Sequence, residues 1–109
     1  MHTLADDGAD DAVDLYNSTT GAWSTAQLSV ARWWLAATSV GSVAVFAGGF
    51  TSAENNANSD AVDLYNITTG MWSTARLSLE RGWLAAASVG NVAIFAGGCN
   101  ASSELRTGV

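Results

Sequence analysis

Apolar and polar residues alternate along much of this chain with a period of two. Val13 and Leu15 alternate with polar neighbours and lead into Tyr16, which is typical of a β-strand with one buried face. The turn NSTTG follows, in which Gly21 suits a positive φ, and Trp23 then opens a strand that runs back beside the first. The pattern therefore predicts a β-hairpin.

A second hairpin is predicted over residues 32–49, RWWLAATSVGSVAVFAGG. Two short runs of β-branched and aromatic residues meet at Gly41-Ser42, a pair that suits a two-residue turn. Alanine is abundant in both runs, and small residues allow neighbouring sheets to approach closely. The pair Gly48-Gly49 ends the second run, where the missing Cβ lets the backbone turn sharply or pass close to another sheet. No helical period is visible, so we predict an all-β fold.

Both hairpins occur twice. Residues 11–29, DAVDLYNSTTGAWSTAQLS, return at 60–78 as DAVDLYNITTGMWSTARLS, an offset of 49 positions. Residues 32–49 return at the same offset, at 81–98, as RGWLAAASVGNVAIFAGG. Self-similarity at this period is typical of propellers and solenoids, in which each unit buries its faces against its neighbours.

The two units resemble the Kelch repeat of β-propellers. The shared landmarks are an arginine that opens the innermost strand, a strand that ends in Gly-Gly, a variable loop, a tyrosine, and a tryptophan a few residues later. The resemblance covers nearly the whole chain and implies a Kelch-like β-propeller segment with about two blades' worth of antiparallel strands. It divides the chain into an acidic loop or terminal segment (1–10), two Kelch-like repeats (11–59 and 60–98), and a carboxy-terminal loop or tail (99–109).

The resemblance also implies four strands in each blade. One complete blade is expected from four segments, 32–41, 43–49, 60–66 and 71–78. The outer strands at 11–29 and the inner strands at 81–98 would each lack half a blade. Either the chain is a fragment of a longer array, or copies assemble head to tail. In the second case three chains would form a six-bladed ring, a homotrimer that completes the propeller.

The charge of the chain limits its partners. The net charge is −6, and the only basic residues besides one histidine are four scattered arginines, which cannot build the basic patch that nucleic acid or anionic lipid requires. Residues 33–53 and 82–103 are uncharged and long enough to span a bilayer as helices. Their glycines, their Ser and Thr residues and the lack of a basic flank favour strands instead. We predict no nucleic-acid partner and no membrane partner.

Few residues have the chemistry that catalysis needs. His2 is the only histidine, so it cannot supply the histidines of a copper oxidase site, and it is the only possible histidine base for a serine or cysteine triad. Cys99 is the only cysteine, which excludes an intrachain disulfide and a cysteine zinc cluster. We predict a protein that is not an enzyme, with no catalytic residue, metal or cofactor. The sequence does not identify a cellular compartment.

Three residues are candidates for ligand binding. In Kelch-type substrate adaptors the position of Arg32 and Arg81 lines a pocket at one mouth of the propeller, and the resemblance implies that these arginines hold carboxylates there by bidentate hydrogen bonds. Trp33, which the second unit replaces by Gly82, would add contact area. The structural alternative is that each arginine pairs with an acid of an adjacent blade and Trp33 covers a hydrophobic edge.

Asn17, Asn66 and Asn100 each begin an N-x-Ser/Thr sequence. Such sequons are glycosylation candidates and would indicate a secreted chain. The alternative is chance, because Ser and Thr are abundant and two of the three sequons are copies of one turn.

We expect a non-catalytic Kelch-repeat scaffold for protein–protein interaction, with the protein ligand at one mouth of the propeller and at the variable loops 50–59 and 99–108. One alternative is a secreted glycan-binding or enzyme-associated propeller fragment. Another is a purely structural repeat fragment with no discrete ligand.

Overall fold

The structure, a computed structural model, describes residues 9–52 and 57–99. These residues form antiparallel β-sheets and no helix, which confirms the predicted all-β class. The strands that they form are β1 (Asp10–Asn17), β2 (Ala22–Arg32), β3 (Ala36–Val40), β4 (Val43–Ala47), β5 (Phe50–Ser52), β6 (Ala57–Asn58), β7 (Ala61–Asn66), β8 (Met71–Arg76), β9 (Ala85–Val89) and β10 (Val92–Ala96).

Four strands form one central sheet in the order β3-β4-β7-β8. The second hairpin of the first repeat and the first hairpin of the second repeat are thereby joined through β4 and β7. The register places Val43 opposite Asn66 and Ala47 opposite Val62. Each of these four strands lies within one of the four segments expected to build a complete blade.

A two-stranded sheet lies on either side of the central sheet. β1 and β2 form one, in which β2 lies beside β5 and β7, and β9 and β10 form the other, which lies beside β3. Among the described residues, no strand pairs with the second edge of β1 or with the second edge of β10. By repeat position, these two edges correspond to the edges of β7 and β4 that join inside the central sheet.

The two repeats fold with the same register. Asn17 lies opposite Ala22 in the first repeat, and the equivalent Asn66 lies opposite Met71 in the second. The hairpins β3–β4 and β9–β10 correspond in the same way. A slip of one residue would turn every side chain to the other face of its sheet. Because both repeats have the same alternation of apolar residues, both hairpins adopt the same register.

The hydrophobic core is small and lies on the central sheet. Val45, Ala47 and Val62 are buried there. Val45 and Ala47 are two positions apart on β4 and therefore point to the same face. The partly buried residues that pack against this core are Val43, Leu64, Leu77 and Phe95. Because Phe95 belongs to β10, the last hairpin contributes to the core of the central sheet.

Gly48 allows the second repeat to approach the first. It has a φ of +74°, and a Cβ at this position would lie 2.5 Å from the carbonyl oxygen of Arg81. The neighbouring Gly49 donates its N–H to the same oxygen at 2.8 Å. The glycine pair thus provides the close backbone approach that its sequence position predicted.

The innermost strand begins later than predicted. Arg32 is the last residue of β2, and β3 begins only at Ala36. Between them Trp34 has a φ of 56°, a left-handed conformation that an extended strand cannot contain. Trp83 precedes β9 with a φ of 58°. The prediction that Arg32 and Arg81 open the innermost strands is therefore wrong, because a left-handed residue separates each arginine from its strand.

The segment 50–59, which we predicted to be a loop, contains a short hairpin of β5 and β6 in which Phe50 lies opposite Asn58. Phe50 also exchanges two backbone hydrogen bonds with Trp33, at 3.0 and 2.8 Å. In the second repeat Cys99 and Gly82 form the same two bonds, at 3.0 and 2.9 Å. The hairpin was not predicted because its backbone hydrogen bonds are not accompanied by alternation of apolar and polar residues in the sequence.

Where the structure describes the two long uncharged stretches, they fold as strands and turns. Within the ranges 9–52 and 57–99, no helix is long and apolar enough to cross a lipid bilayer.

Candidate binding site

Arg32 is held by a dense set of contacts at the end of β2. Its Nη2 donates to Oδ2 of Asp63 at 2.5 Å, and both side chains are almost completely buried. Its Nη1 donates to the carbonyl oxygens of Ala61, at 2.5 Å, and Gly48, at 3.1 Å. The guanidinium therefore ties β2 of the first repeat to β7 of the second and to the end of β4.

The carboxylate of Asp63 collects a second group from the first repeat. Ser29 donates its hydroxyl to Oδ2 at 3.1 Å and directs its backbone N–H toward both carboxylate oxygens at 3.3 Å. Burial lowers the pKa of the Arg32 guanidinium below its ordinary value, and the charge of Asp63 opposes that shift. The group nevertheless stays charged over the working pH range, so the two residues form a buried ion pair.

This geometry determines what Arg32 can do for a ligand. The resemblance implied that Arg32 would hold a carboxylate, and the structure supplies one from Asp63 of the same chain. An acidic ligand would have to displace that carboxylate from a buried position. For Arg32 the contacts therefore agree with the structural alternative, in which the arginine pairs with an acid of the neighbouring repeat.

Arg81 has the equivalent position in the second repeat but different surroundings. Its Nη1 donates to the carbonyl oxygen of Gly97 at 3.4 Å, as Arg32 does to Gly48. No carboxylate pairs with Arg81 within the part of the chain that the structure describes. Its side chain is half-buried, and its Nε, like that of Arg32, is buried without a hydrogen-bond partner among the described residues. Over residues 9–52 and 57–99, the positive charge of Arg81 beside the last hairpin therefore has no acidic partner.

Four aromatic side chains form a cluster where the two repeats meet, and we call it the aromatic cluster: Trp33, Trp34, Phe50 and Trp83. The rings of Trp34 and Trp83 have centroids 4.0 Å apart, and those of Trp33 and Trp34 are 4.3 Å apart. Phe50 lies edge-on to Trp34 and Trp83, at 5.9 and 5.6 Å. Trp34 and Trp83 leave 48% and 55% of their surface exposed, so the cluster presents a broad apolar surface.

The backbone holds the two exposed tryptophans in an unusual conformation. Both have a φ near +57°, at 56° and 58°, where a bulky side chain is rare because its Cβ crowds the following carbonyl oxygen. The N–H of Trp83 donates to the carbonyl oxygen of Trp34 at 3.2 Å, which links the two left-handed residues. Such strain persists only where surrounding contacts impose it, and it concentrates at functional sites.

Trp33 is the inner member of the aromatic cluster. It is half-buried, its ring lies 5.1 Å from that of Phe50, and its indole Nε1 is buried with no hydrogen-bond partner among the described residues. Of the predicted ligand-binding residues, Arg32 contacts Asp63 and Trp33 contacts Trp34 and Phe50, whereas Arg81 contacts the carbonyl oxygen of Gly97. Arg32 and Trp33 are neighbours in the sequence, and Arg81 precedes Trp83 by two residues.

Trp34, Phe50 and Trp83 were not among the binding residues predicted from the sequence. A signal was present for two of them, since Trp34 and Trp83 occupy the same position in both repeats. No pattern in the sequence shows that these two positions face each other across the junction of the repeats.

The sequon asparagines of the two repeats lie at turns. Oδ1 of Asn17 accepts the N–H groups of Thr19 and Thr20 at 2.8 and 3.2 Å. Oδ1 of Asn66 repeats this arrangement in the second repeat. Both oxygens thus close a local Asx turn. Asn100 lies outside the described residues, as does His2.

The described residues contain no group of three His, Cys, Asp or Glu side chains that could hold a metal ion. Cys99 is a half-buried free thiol. A comparison of the chain with protein-family models and with curated proteins found no match.

Proposed function

We propose that this chain is part of a Kelch-like β-propeller scaffold that binds a protein ligand, without catalysis, through the aromatic cluster. The observation that carries the proposal is the pair Trp34 and Trp83, whose rings lie 4.0 Å apart while each exposes about half of its surface. The propeller part of the proposal is supported by the repeat landmarks and by the four-stranded antiparallel sheet shared between the two repeats.

The aromatic cluster has the properties of a protein-binding surface. Tryptophan is enriched among residues that dominate binding energy, because one rigid side chain supplies a large contact area. The two exposed tryptophans are further restricted by the hydrogen bond between their backbones. A surface that is already ordered loses little conformational entropy on binding, so this cluster is suited to hold a ligand.

The charge of the chain favours a particular ligand chemistry. A net charge of −6 attracts basic partners. The exposed face of an indole ring also attracts the cation of Arg or Lys. We therefore propose as ligand a peptide segment that carries an Arg or Lys beside an apolar residue. In this proposal Arg32 does not touch the ligand, because its guanidinium is paired with Asp63, and it supports the end of β2 next to Trp33.

The test uses a displayed library of random peptides as the probe, selected on the full chain. Enriched peptides are then measured for binding to Trp34→Asn and Trp83→Asn, in which asparagine tolerates the left-handed backbone. Trp23→Thr is the matched control, since Trp23 is 69% exposed but lies elsewhere, against Tyr16. We expect both cluster variants to weaken binding about tenfold or more and the control to leave it unchanged. Peptides that bind all variants equally, or a library without enrichment, would contradict the proposal.

A second candidate function is glycan binding, which the same exposed tryptophan pair favours because flat indole faces pack against the apolar faces of sugar rings. A glycan array probed with the same variants separates the two ligand classes. Glycan binding that requires Trp34 and Trp83, together with no peptide enrichment, would replace the protein ligand by a sugar. No dependence on the cluster in either assay would favour a purely structural role.

A further inference from the structure

We infer that the open edge of β10 pairs with the open edge of β1 of a second copy of this chain, in a head-to-tail interface. This inference concerns assembly and goes beyond the proposed function, because it does not depend on which ligand the aromatic cluster binds. It rests on the fact that the chain contains one finished example of the same junction, between β4 and β7.

The two open edges have the sequences that already pair inside the chain. Residues 12–17 of β1 are identical to residues 61–66 of β7, and β10, VAIFA, differs from β4, VAVFA, at a single position. In the β4–β7 register, Val43 lies opposite Asn66 and Ala47 lies opposite Val62. Replacing each residue by its equivalent in the other repeat places Val92 of one copy opposite Asn17 of the next, and Ala96 opposite Val13. Backbone and side chains of a second copy therefore meet the same partners as in the central sheet.

The charges at the two edges complement each other. In the finished junction Asp63 receives both Arg32 and Ser29. At the open edges, Asp14 of β1 is equivalent to Asp63. Arg81 and Ser78 of the second repeat are equivalent to Arg32 and Ser29. Asp14 is exposed, and neither Asp14 nor Arg81 forms an ion pair with any residue that the structure describes. Pairing of two copies brings Arg81 and Ser78 of one copy to Asp14 of the next.

The sizes of the side chains complement each other as well. In the internal junction the large Phe50 packs on Gly82, where even a Cβ would overlap its ring. At the junction between copies the equivalent residues are Cys99 and Trp33. There the small residue, Cys99, replaces the large Phe50, and the large residue, Trp33, replaces the small Gly82. Each junction thus combines one large and one small side chain, as close packing requires.

The exposed apolar surface of β10 gives the pairing its driving force. Val92 and Ile94 are 57% and 44% exposed, whereas Val45, the counterpart of Ile94 in the central sheet, is only 5% exposed. An apolar strand edge with unpaired N–H and C=O groups is a template for another strand. The matching edge of β1 satisfies the backbone groups, and its Val13, the counterpart of Val62 in the core around Val45, covers part of the apolar side chains.

An interface of this kind joins two different surfaces and therefore forms either a closed ring or an open chain of copies. The mass of the assembly distinguishes them, and three copies with about two blades each would form a six-bladed ring. The first measurement is the mass of the full chain by light scattering over a concentration series, with circular dichroism as a check of folding. We expect a discrete oligomer that dissociates on dilution.

Charge reversal tests the interface itself. We expect Arg81→Asp to raise the dissociation constant of the oligomer at least about thirtyfold, as loss of a buried charge pair does. Arg76→Asp is the control, because it makes the same charge change at a side chain that is 79% exposed and pairs with Asp60 of its own repeat at 3.3 Å. The double variant Arg81→Asp with Asp14→Arg should associate more tightly than either single variant. Asp14→Asn provides a variant whose changed residue is exposed in the single chain, so its folding is not at risk.

Three results would overturn the inference. The first is a chain that stays monomeric at the highest attainable concentration. The second is an oligomer that Arg81→Asp and Asp14→Asn leave intact, which would place the interface elsewhere. The third is a double charge-reversal variant no better than the single variants. Because these experiments contain no ligand, their outcome is independent of the peptide-binding test.

Discussion

Arg32 and Asp63 form a buried ion pair between the two repeats, whereas their counterparts Arg81 and Asp14 remain apart in the single chain. An arginine and an aspartate thus pair at the junction between β4 and β7, while the equivalent arginine and aspartate lie unpaired with each other near the open edges of β10 and β1. This difference provides an internal control, because a change in one repeat can be compared with the equivalent change in the other.

Replacing Asp63 by asparagine should destabilise the chain strongly. The change leaves the Arg32 guanidinium buried without a counter-ion, and we expect a loss of about 3–5 kcal/mol in the free energy of unfolding. The measurement is urea denaturation at high dilution. Asp14→Asn is the control, since Asp14 is exposed, and its effect should be near zero. Equal losses in the two variants would show that burial of the pair contributes nothing.

Gly48→Ala and Gly97→Ala should differ although both glycines have nearly the same φ, +74° and +75°. At Gly97 a Cβ meets nothing within 4 Å, so alanine costs only the left-handed conformation, about 1–2 kcal/mol. At Gly48 the Cβ would also meet the carbonyl oxygen of Arg81, and we expect more than about 3 kcal/mol. Thermal unfolding of dilute samples measures both. A similar loss of stability for the two variants would contradict the close approach.

The left-handed backbone at Trp34 can be tested by comparing two small residues. Glycine tolerates a φ of 56° and alanine does not, so Trp34→Gly should be more stable than Trp34→Ala by about 1 kcal/mol. The same pair of substitutions at Trp23, which lies in the extended strand β2, should show the opposite order, because glycine weakens a strand. Chemical denaturation gives the four values, and the same order at both positions would contradict the assignment.

Phe50 and Gly82 should be energetically coupled. Gly82→Ala places a methyl group on the ring of Phe50 and should cost about 1–3 kcal/mol through overpacking. In the background of Phe50→Cys, which introduces the residue of the second repeat, the same change should cost little. A double-mutant cycle measured by denaturation should therefore give a coupling of about 1 kcal/mol or more. Additive effects would show that the two residues do not compete for space.

Four hairpins, β1–β2, β3–β4, β7–β8 and β9–β10, followed from the sequence by itself. Period-two alternation around Val13 and Leu15 places one face inward, and Gly41 and Gly21 mark the turns by the positive φ that they adopt. These are local preferences of the backbone and of neighbouring side chains. The offset of 49 positions further predicted that both repeats fold alike, and their registers agree.

The tertiary structure alone decided which surfaces meet. Arg32 finds its carboxylate 31 positions away in the next repeat, and Trp34 meets Trp83 across the same junction. Alternation of apolar residues predicts that one face of a strand is buried, but it does not predict which segment covers that face. No pattern in the sequence predicts the left-handed backbone of Trp34 and Trp83. The packing of one repeat on the next imposes both features, because contacts between distant segments outweigh the local preference for an extended strand.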